Sequence, residues 1–146
     1  MVEEVDNYRI AVIDLGTNTF DLIIVEHVLL SDQFKTIHTD KSFVHLGERG
    51  IMDKMITEAA FSRAEFALEH FIHACRSFRV KDIKAFGTSA LRDAKNSGQF
   101  VNYVNEHFGI EVKIISGDDE AQFIYEGVKG IHSFDSASCI MDIGGG

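Results

Sequence analysis

An apolar run at residues 9–15 contains one carboxylate and leads directly into a glycine-containing turn. Asp14 lies near the end of that run, and a carboxylate at a strand end can bind Mg²⁺ directly or through water. The next positions offer amides and hydroxyls that can cradle phosphate oxygens. They are Gly16, Thr17, Asn18 and Thr19. The same residue types also favour an ordinary hairpin turn, so this motif alone leaves both interpretations open.

A second segment near residue 146 repeats this arrangement. Asp142 follows an apolar run, and three glycines come after Ile143. These glycines are Gly144, Gly145 and Gly146. Two such loops facing each other across a cleft would clamp a metal-bound phosphate from two sides. A flexible glycine tail is the alternative, but residues 139–143 lead into the glycines with the pattern of a strand.

Two further segments carry charged side chains next to predicted strand ends. Arg92 follows the apolar run 83–87, and a guanidinium can pair with phosphate through two hydrogen bonds and stabilise transition-state charge. A surface arginine beside Asp93 is the simpler interpretation. Ser116 precedes three acids at residues 118–120, which suit the first turn of a capped helix. Three acids exceed what capping needs, so one of them can act as a general base on water.

The elements that must position these segments alternate in type along the chain. Apolar runs predict strands at 9–15, 20–26, 83–87, 112–115 and 137–143, with a poorly patterned strand within 34–46. Helical spacing predicts a long helix capped by Thr57, a second closed by Gly109, and a third from about 118 to 129. Strands joined by a tight turn pair antiparallel, and strands separated by helices pair parallel. We therefore expect an α/β fold in which the first five strands form a mixed five-stranded sheet, three antiparallel strands followed by parallel ones, with flanking helices. The last strand, 137–143, would open a second, similar unit.

Composition narrows the possible partners and location. The 146 residues carry a net charge of −9, which argues against duplex nucleic acid or an anionic membrane as the main partner. No apolar run reaches the length of about 20 residues that a membrane helix needs. The two cysteines, Cys75 and Cys139, lie far apart, which indicates reduced thiols in a cytoplasmic protein.

Taken in this order, the motifs resemble the exopolyphosphatase/guanosine pentaphosphatase (Ppx/GppA) phosphatases of the actin–Hsp70–sugar kinase superfamily. The resemblance rests on residues 14–19, the Thr-Ser-Ala-Leu-Arg-Asp-Ala run at 88–94, residues 116–121 and residues 142–146. It spans the chain from Tyr8. It implies a ribonuclease H-like, actin-like lobe in residues 1–131, with residues 132–146 beginning a second, similar lobe.

The resemblance also implies a role for each motif. Glu120 would be the catalytic base that activates water, and Arg92 would contact the scissile phosphoryl group. Asp14 and Asp142 would organise Mg²⁺ as the cofactor. Phosphate would be held by Gly16, Thr17, Asn18, Thr19, Gly144, Gly145 and Gly146.

The activity implied is release of terminal phosphate from polyphosphate or pppGpp, by a protein that is a homodimer in its complete form. An actin-like ATPase or sugar kinase also fits the two glycine loops. A sensor that binds pppGpp or polyphosphate without hydrolysing it is a third possibility. Because the family's cleft lies between two lobes, we expect the 146-residue chain alone to have little activity and to expose an apolar face.

Overall fold

Strands and helices follow one another in nine elements in the computed structural model, which describes residues 8–28, 33–47 and 54–144. The strands are β1 (Arg9–Leu15), β2 (Thr19–Val28), β3 (Gln33–Phe43), β4 (Asp82–Gly87) and β5 (Val112–Ile114). The helices are α1 (Glu58–Ser77), α2 (Ser89–Asp93), α3 (Ser97–Phe108) and α4 (Gly117–Lys129). None of these helices is both long and apolar enough to span a bilayer.

The sheet has the predicted mixed topology, with the strand order β3-β2-β1-β4-β5. β2 pairs antiparallel with both β1 and β3. β4 pairs parallel with both β1 and β5. The central strand, β1, therefore joins the antiparallel half to the parallel half, and the predicted five-stranded sheet with flanking helices is confirmed.

The two faces of the sheet differ in how they are covered. Ala11, Ile13 and Leu15 of β1 are fully buried in one core with the inner sides of α1 and α3. Val12 and Asp14 alternate with them and therefore point to the opposite face, where they line a cavity together with residues of α4. No residue of α4 is buried. Two large apolar side chains of this helix, Phe123 and Tyr125, are exposed, and the apolar face expected from the sequence stays a prediction.

Helix ends were predicted well because they depend on local chemistry. The Thr57 hydroxyl accepts a hydrogen bond from the Ala60 amide at 3.2 Å, and α1 begins at the next residue. Gly109 ends α3 in the left-handed conformation with φ of 66°, which glycine adopts without steric cost. Ser116 caps α4 in a reciprocal capping box with Asp119.

One short element was not predicted, and one predicted element is absent. The run 88–94 contains a short helix, α2, which has too few residues to show helical periodicity in its sequence. The strand predicted at 137–143 is absent, because this segment pairs with no strand of the described residues. Met141 and Ile143 are 77% and 85% exposed. A strand requires a hydrogen-bonded neighbour, and the apolar pattern of a segment does not supply one.

Candidate active site

Three of the predicted carboxylates line one cavity at the carboxyl ends of β1 and β4. Asp14, Glu120 and Asp142 border this space of about 370 Å³. Asp14 comes from β1, Glu120 from the first turn of α4, and Asp142 from the irregular segment after α4. The carboxyl ends of strands are where open α/β sheets place their ligand sites. The structure therefore brings these residues together as the sequence predicted.

Asp14 is in an environment that disfavours its charged form. Burial by the surrounding cavity walls raises its pKa from 3.8 to about 6, and the negative charges of Asp21, Glu120 and Asp142 add to the rise. Lys41 opposes the rise only in part. The side chain stays accessible to solvent. A cation entering the cavity would relieve this repulsion, so the electrostatics favour metal binding at Asp14.

Asp21 is a neighbour of the site that the motif analysis missed. It lies directly opposite Asp14 in the β1–β2 register. Its carboxylate accepts a 2.8 Å hydrogen bond from the Thr19 hydroxyl and lies 2.9 Å from the Lys41 ammonium. The tight turn at 16–19 fixes this register, so the pairing of two acids was deducible from hairpin geometry. Thr19 directs its single hydroxyl hydrogen at Asp21, and its predicted role in holding phosphate stays a prediction.

The turn between β1 and β2 is fixed by backbone hydrogen bonds on both sides. The Gly16 amide donates to the Thr19 carbonyl at 3.0 Å. The carbonyls of Thr17 and Asn18 accept from amides of the segment 44–47 at 2.9 to 3.3 Å. Within the described ranges, the amides of Thr17 and Asn18 themselves have no hydrogen-bond partner. Two unpaired amides on a rigid turn are the kind of donor set that binds an anion.

A side chain from α1 holds the segment against which this turn rests. The Arg63 guanidinium donates to the carbonyls of Val44 and His45 at 2.6 and 3.1 Å. His45 has a φ of 49°, a conformation that is unfavourable for a non-glycine residue and needs support from its surroundings. Arg63 supplies part of that support, so the long helix contributes to the geometry of the turn at a distance.

Replacing Gly16 by alanine should open this turn. A Cβ at position 16 would lie 2.7 Å from the Thr19 carbonyl oxygen, which is backbone and cannot move aside without breaking the turn. We expect a loss of about 1–3 kcal/mol in unfolding free energy, measured by urea denaturation of the 146-residue chain. Gly98→Ala is the matched control, because a Cβ there meets nothing within 4 Å. Equal stability of the two variants would show that the turn does not require glycine.

Arg92 and Glu120, predicted separately, form an ion pair. Arg92 Nη1 donates to the Glu120 carboxylate at 3.2 Å and to the Ile115 carbonyl at 2.9 Å. The two side chains are 31% and 30% exposed, so both remain reachable by a ligand. Asp119, next to Glu120, accepts hydrogen bonds from Ser116 as part of the helix cap. These hydrogen bonds lower the pKa of the Asp119 carboxyl. Glu120 is thus the acid of this helical turn that lines the cavity.

Residues 23–146 match the profile of the Ppx/GppA phosphatase family. The chain belongs to this family. The predicted resemblance is therefore confirmed over most of the sequence.

Two curated relatives of the chain, from different bacteria, carry the same name. The chain is 30% identical over 135 residues to the guanosine-5'-triphosphate,3'-diphosphate pyrophosphatase of Aliivibrio fischeri, covering 92% of this chain and 27% of the relative. It is 30% identical over 145 residues to the Vibrio cholerae protein of that name, covering 99% of this chain and 29% of the relative. The chain thus spans less than a third of the length of these relatives.

Solved Ppx/GppA structures share the fold. An exopolyphosphatase from Cytophaga hutchinsonii superimposes with a TM-score of 0.80 at 38% identity, covering 84% of this chain and 38% of the other. A family member from Aquifex aeolicus superimposes with a TM-score of 0.78 at 24% identity, covering 84% of this chain and 39% of the other. The second comparison shows the fold alone, and both agree with the predicted actin-like lobe.

The carboxylates of this Ppx/GppA family member suit Mg²⁺ in chemical type. Among the residues described, no group of three or more His, Cys, Asp or Glu side chains is placed to hold a metal ion by itself. Mg²⁺ does not need such a cage, because it keeps several waters and binds one or two carboxylates together with substrate phosphates. Asp14, with its raised pKa, and Asp142 across the cavity fit that pattern.

The second glycine loop is described only in part. Gly144 has open space around it, since a Cβ there would meet nothing within 4 Å. Gly145 and Gly146 lie outside the described residues. The role of all three glycines in phosphate binding stays a prediction. The part of this loop that the structure supports is the position of Asp142 at the cavity.

Proposed function

We propose that this chain forms the first lobe of a phosphohydrolase that releases terminal phosphate from polyphosphate or pppGpp. The observation that carries the proposal is the Arg92–Glu120 pair beside the cavity that Asp14 and Asp142 also line. Relatives at 30% and 38% identity are named as a pppGpp pyrophosphatase and an exopolyphosphatase. We also propose a domain division at residue 131, a cytoplasmic location and a homodimeric complete protein.

In the proposed reaction, each group at the cavity has one task. A water molecule attacks the terminal phosphorus, its proton passes to the Glu120 carboxylate, and the anhydride P–O bond to the remaining phosphate chain breaks. Arg92 stabilises the negative charge on the transferred group. The Thr17 and Asn18 amides hold phosphate oxygens. Asp14 and Asp142 would hold Mg²⁺, which neutralises phosphate charge when it is bound.

The ion pair suggests how substrate binding and catalysis are linked. Arg92 Nη1 is shared between Glu120 and a backbone carbonyl. A phosphate group arriving in the cavity competes with Glu120 for the guanidinium, because both are anionic oxygen acceptors. Glu120 is then released to accept a proton from water. Until substrate arrives, the same contact keeps the base in position at the cavity.

A substrate panel tests the proposed function. Phosphate release is measured with Mg²⁺ for polyphosphate, pppGpp and ATP, using the complete protein, by which we mean the longest natural polypeptide that contains these 146 residues. We expect turnover of polyphosphate or pppGpp well above that of ATP, and loss of turnover with a chelator. Preferential ATP turnover would favour an actin-like ATPase or kinase. Tight binding of pppGpp or polyphosphate without release would favour a sensor.

A further inference from the structure

Thr88 is the one polar residue among the buried side chains of the described residues, at 8% exposure. Its hydroxyl makes no hydrogen bond within that part of the chain. The hydroxyl oxygen is not among the described side-chain atoms that are shut off from solvent without a partner, so it keeps contact with solvent. A polar atom that is neither paired nor shut off, on a residue that is otherwise buried, is open to a partner from outside the chain.

Local helix chemistry does not use this hydroxyl. Thr88 is the residue before α2, and its carbonyl accepts the Arg92 amide at 2.9 Å. A threonine at such a position ordinarily caps the helix by accepting an amide hydrogen. Thr57 and Ser116 do so in this chain, whereas the Thr88 side chain forms no cap bond. The conformation at Thr88 leaves its hydroxyl for another partner.

The cavity supplies the place where that partner would bind. Thr88 lines it together with Asp14 and Glu120. Its amide donates to the Leu15 carbonyl at 3.4 Å, which ties it to the end of β1 beside Asp14. The preceding Gly87 leaves no room for a Cβ, which would lie 2.7 Å from Leu91 Cδ1. The hydroxyl is thus carried by a closely packed junction between a strand and a helix.

We propose that the Thr88 hydroxyl is a further substrate-contacting group, which donates a hydrogen bond to a non-bridging oxygen of the terminal phosphoryl group. The inference rests on the proposed function and adds a residue to its site. Asp14, Glu120 and Asp142 make the cavity rich in acceptors. A phosphoryl group brings only acceptors, so it needs donors beyond Arg92. A neutral hydroxyl supplies one without adding charge.

Two substitutions separate this role from a structural one. Thr88→Val keeps the shape and removes the donor, while Thr88→Ser keeps the donor. In the complete protein with Mg²⁺, we expect Thr88→Val to lower kcat/KM for tripolyphosphate and pppGpp about 10- to 100-fold. We expect its Tm to stay close to that of the wild type, because the hydroxyl makes no hydrogen bond to the described chain and is replaced by a methyl group of similar size. Thr88→Ser should stay within about threefold of the wild type in kcat/KM.

The controls keep the inference distinct from the proposed function. Ser89→Ala removes the neighbouring hydroxyl, which does not border the cavity, and should leave kcat/KM unchanged. Wild-type turnover in Thr88→Val would overturn the inference and leave the proposed function intact. Equal losses of activity and Tm in Thr88→Val and Thr88→Ser would assign a packing role and also overturn it. A wild-type protein that neither hydrolyses nor binds Mg²⁺-tripolyphosphate in calorimetry would refute both.

Discussion

Glu120→Gln should lower phosphate release by a factor of about 10² to 10⁴ while leaving substrate affinity close to that of the wild type. Glutamine has nearly the same shape as glutamate and keeps an oxygen that can accept the hydrogen bond from Arg92. It cannot take a proton from water at neutral pH. The loss should therefore fall on kcat, measured by phosphate release from the complete protein with Mg²⁺, and not on binding measured by calorimetry.

The matched control lies on the same helix. Glu126 is exposed on α4, accepts a hydrogen bond from Gln122 and does not line the cavity. Glu126→Gln changes the net charge by the same amount and should leave kcat unchanged. If Glu120→Gln also turns over at the wild-type rate, the proton acceptor is another group and the proposed mechanism is wrong. If it loses binding instead, Glu120 serves to position Arg92.

Elements whose signals are local were predictable from the sequence. The β1 run has alternate residues buried in the core, and its position follows from the apolar pattern alone. Thr57 and Ser116 marked helix starts because capping depends on atoms within one helical turn. Asp14 and Glu120 could be identified as candidate site residues because each belongs to a motif that is contiguous in the sequence.

Features that depend on contacts between distant segments were not predictable from single motifs. Thr88 lies within a recognised run, but its burial and its unpaired hydroxyl appear only when β1 and β4 are side by side. The Arg92–Glu120 pair joins two segments that are 28 residues apart. The strand expected at 137–143 failed for the same physical reason, because strand formation depends on a partner that the segment's own sequence does not specify.

Asp14→Asn should abolish Mg²⁺-dependent phosphate release and, in the same variant, stabilise the fold. The acid is surrounded by Asp21, Glu120 and Asp142 in a cavity that raises its pKa to about 6. Removing its charge relieves that repulsion, and the amide is a far poorer ligand for Mg²⁺. We expect turnover of the complete protein to fall at least about 100-fold, and Mg²⁺ affinity measured by calorimetry to fall with it.

The gain in stability should depend on pH in a defined direction. The pKa of the Asp14 carboxyl is 3.8 in the unfolded chain and about 6 in the folded one. The carboxyl therefore destabilises the fold only at pH values above about 3.8, where the unfolded chain is ionised at this position. The difference between Asp14→Asn and wild type should be absent below about pH 3.8, grow between the two pKa values, and level off above about pH 6. At pH 7 we expect the unfolding free energy of Asp14→Asn to exceed that of the wild type by only about 1 kcal/mol, because solvent screens this accessible side chain.

Urea unfolding of the 146-residue chain across pH 3 to 8, without divalent ions, measures this difference. Asp135→Asn is the control, since Asp135 is exposed on the irregular segment after α4 and should show no such pH-dependent gain. Adding Mg²⁺ should narrow the gap between wild type and Asp14→Asn, because the ion stabilises only the protein that keeps the carboxylate. A variant that is less stable than wild type at pH 7 would mean that Asp14 is held by favourable contacts and that the cavity carries no stored repulsion for a cation to relieve.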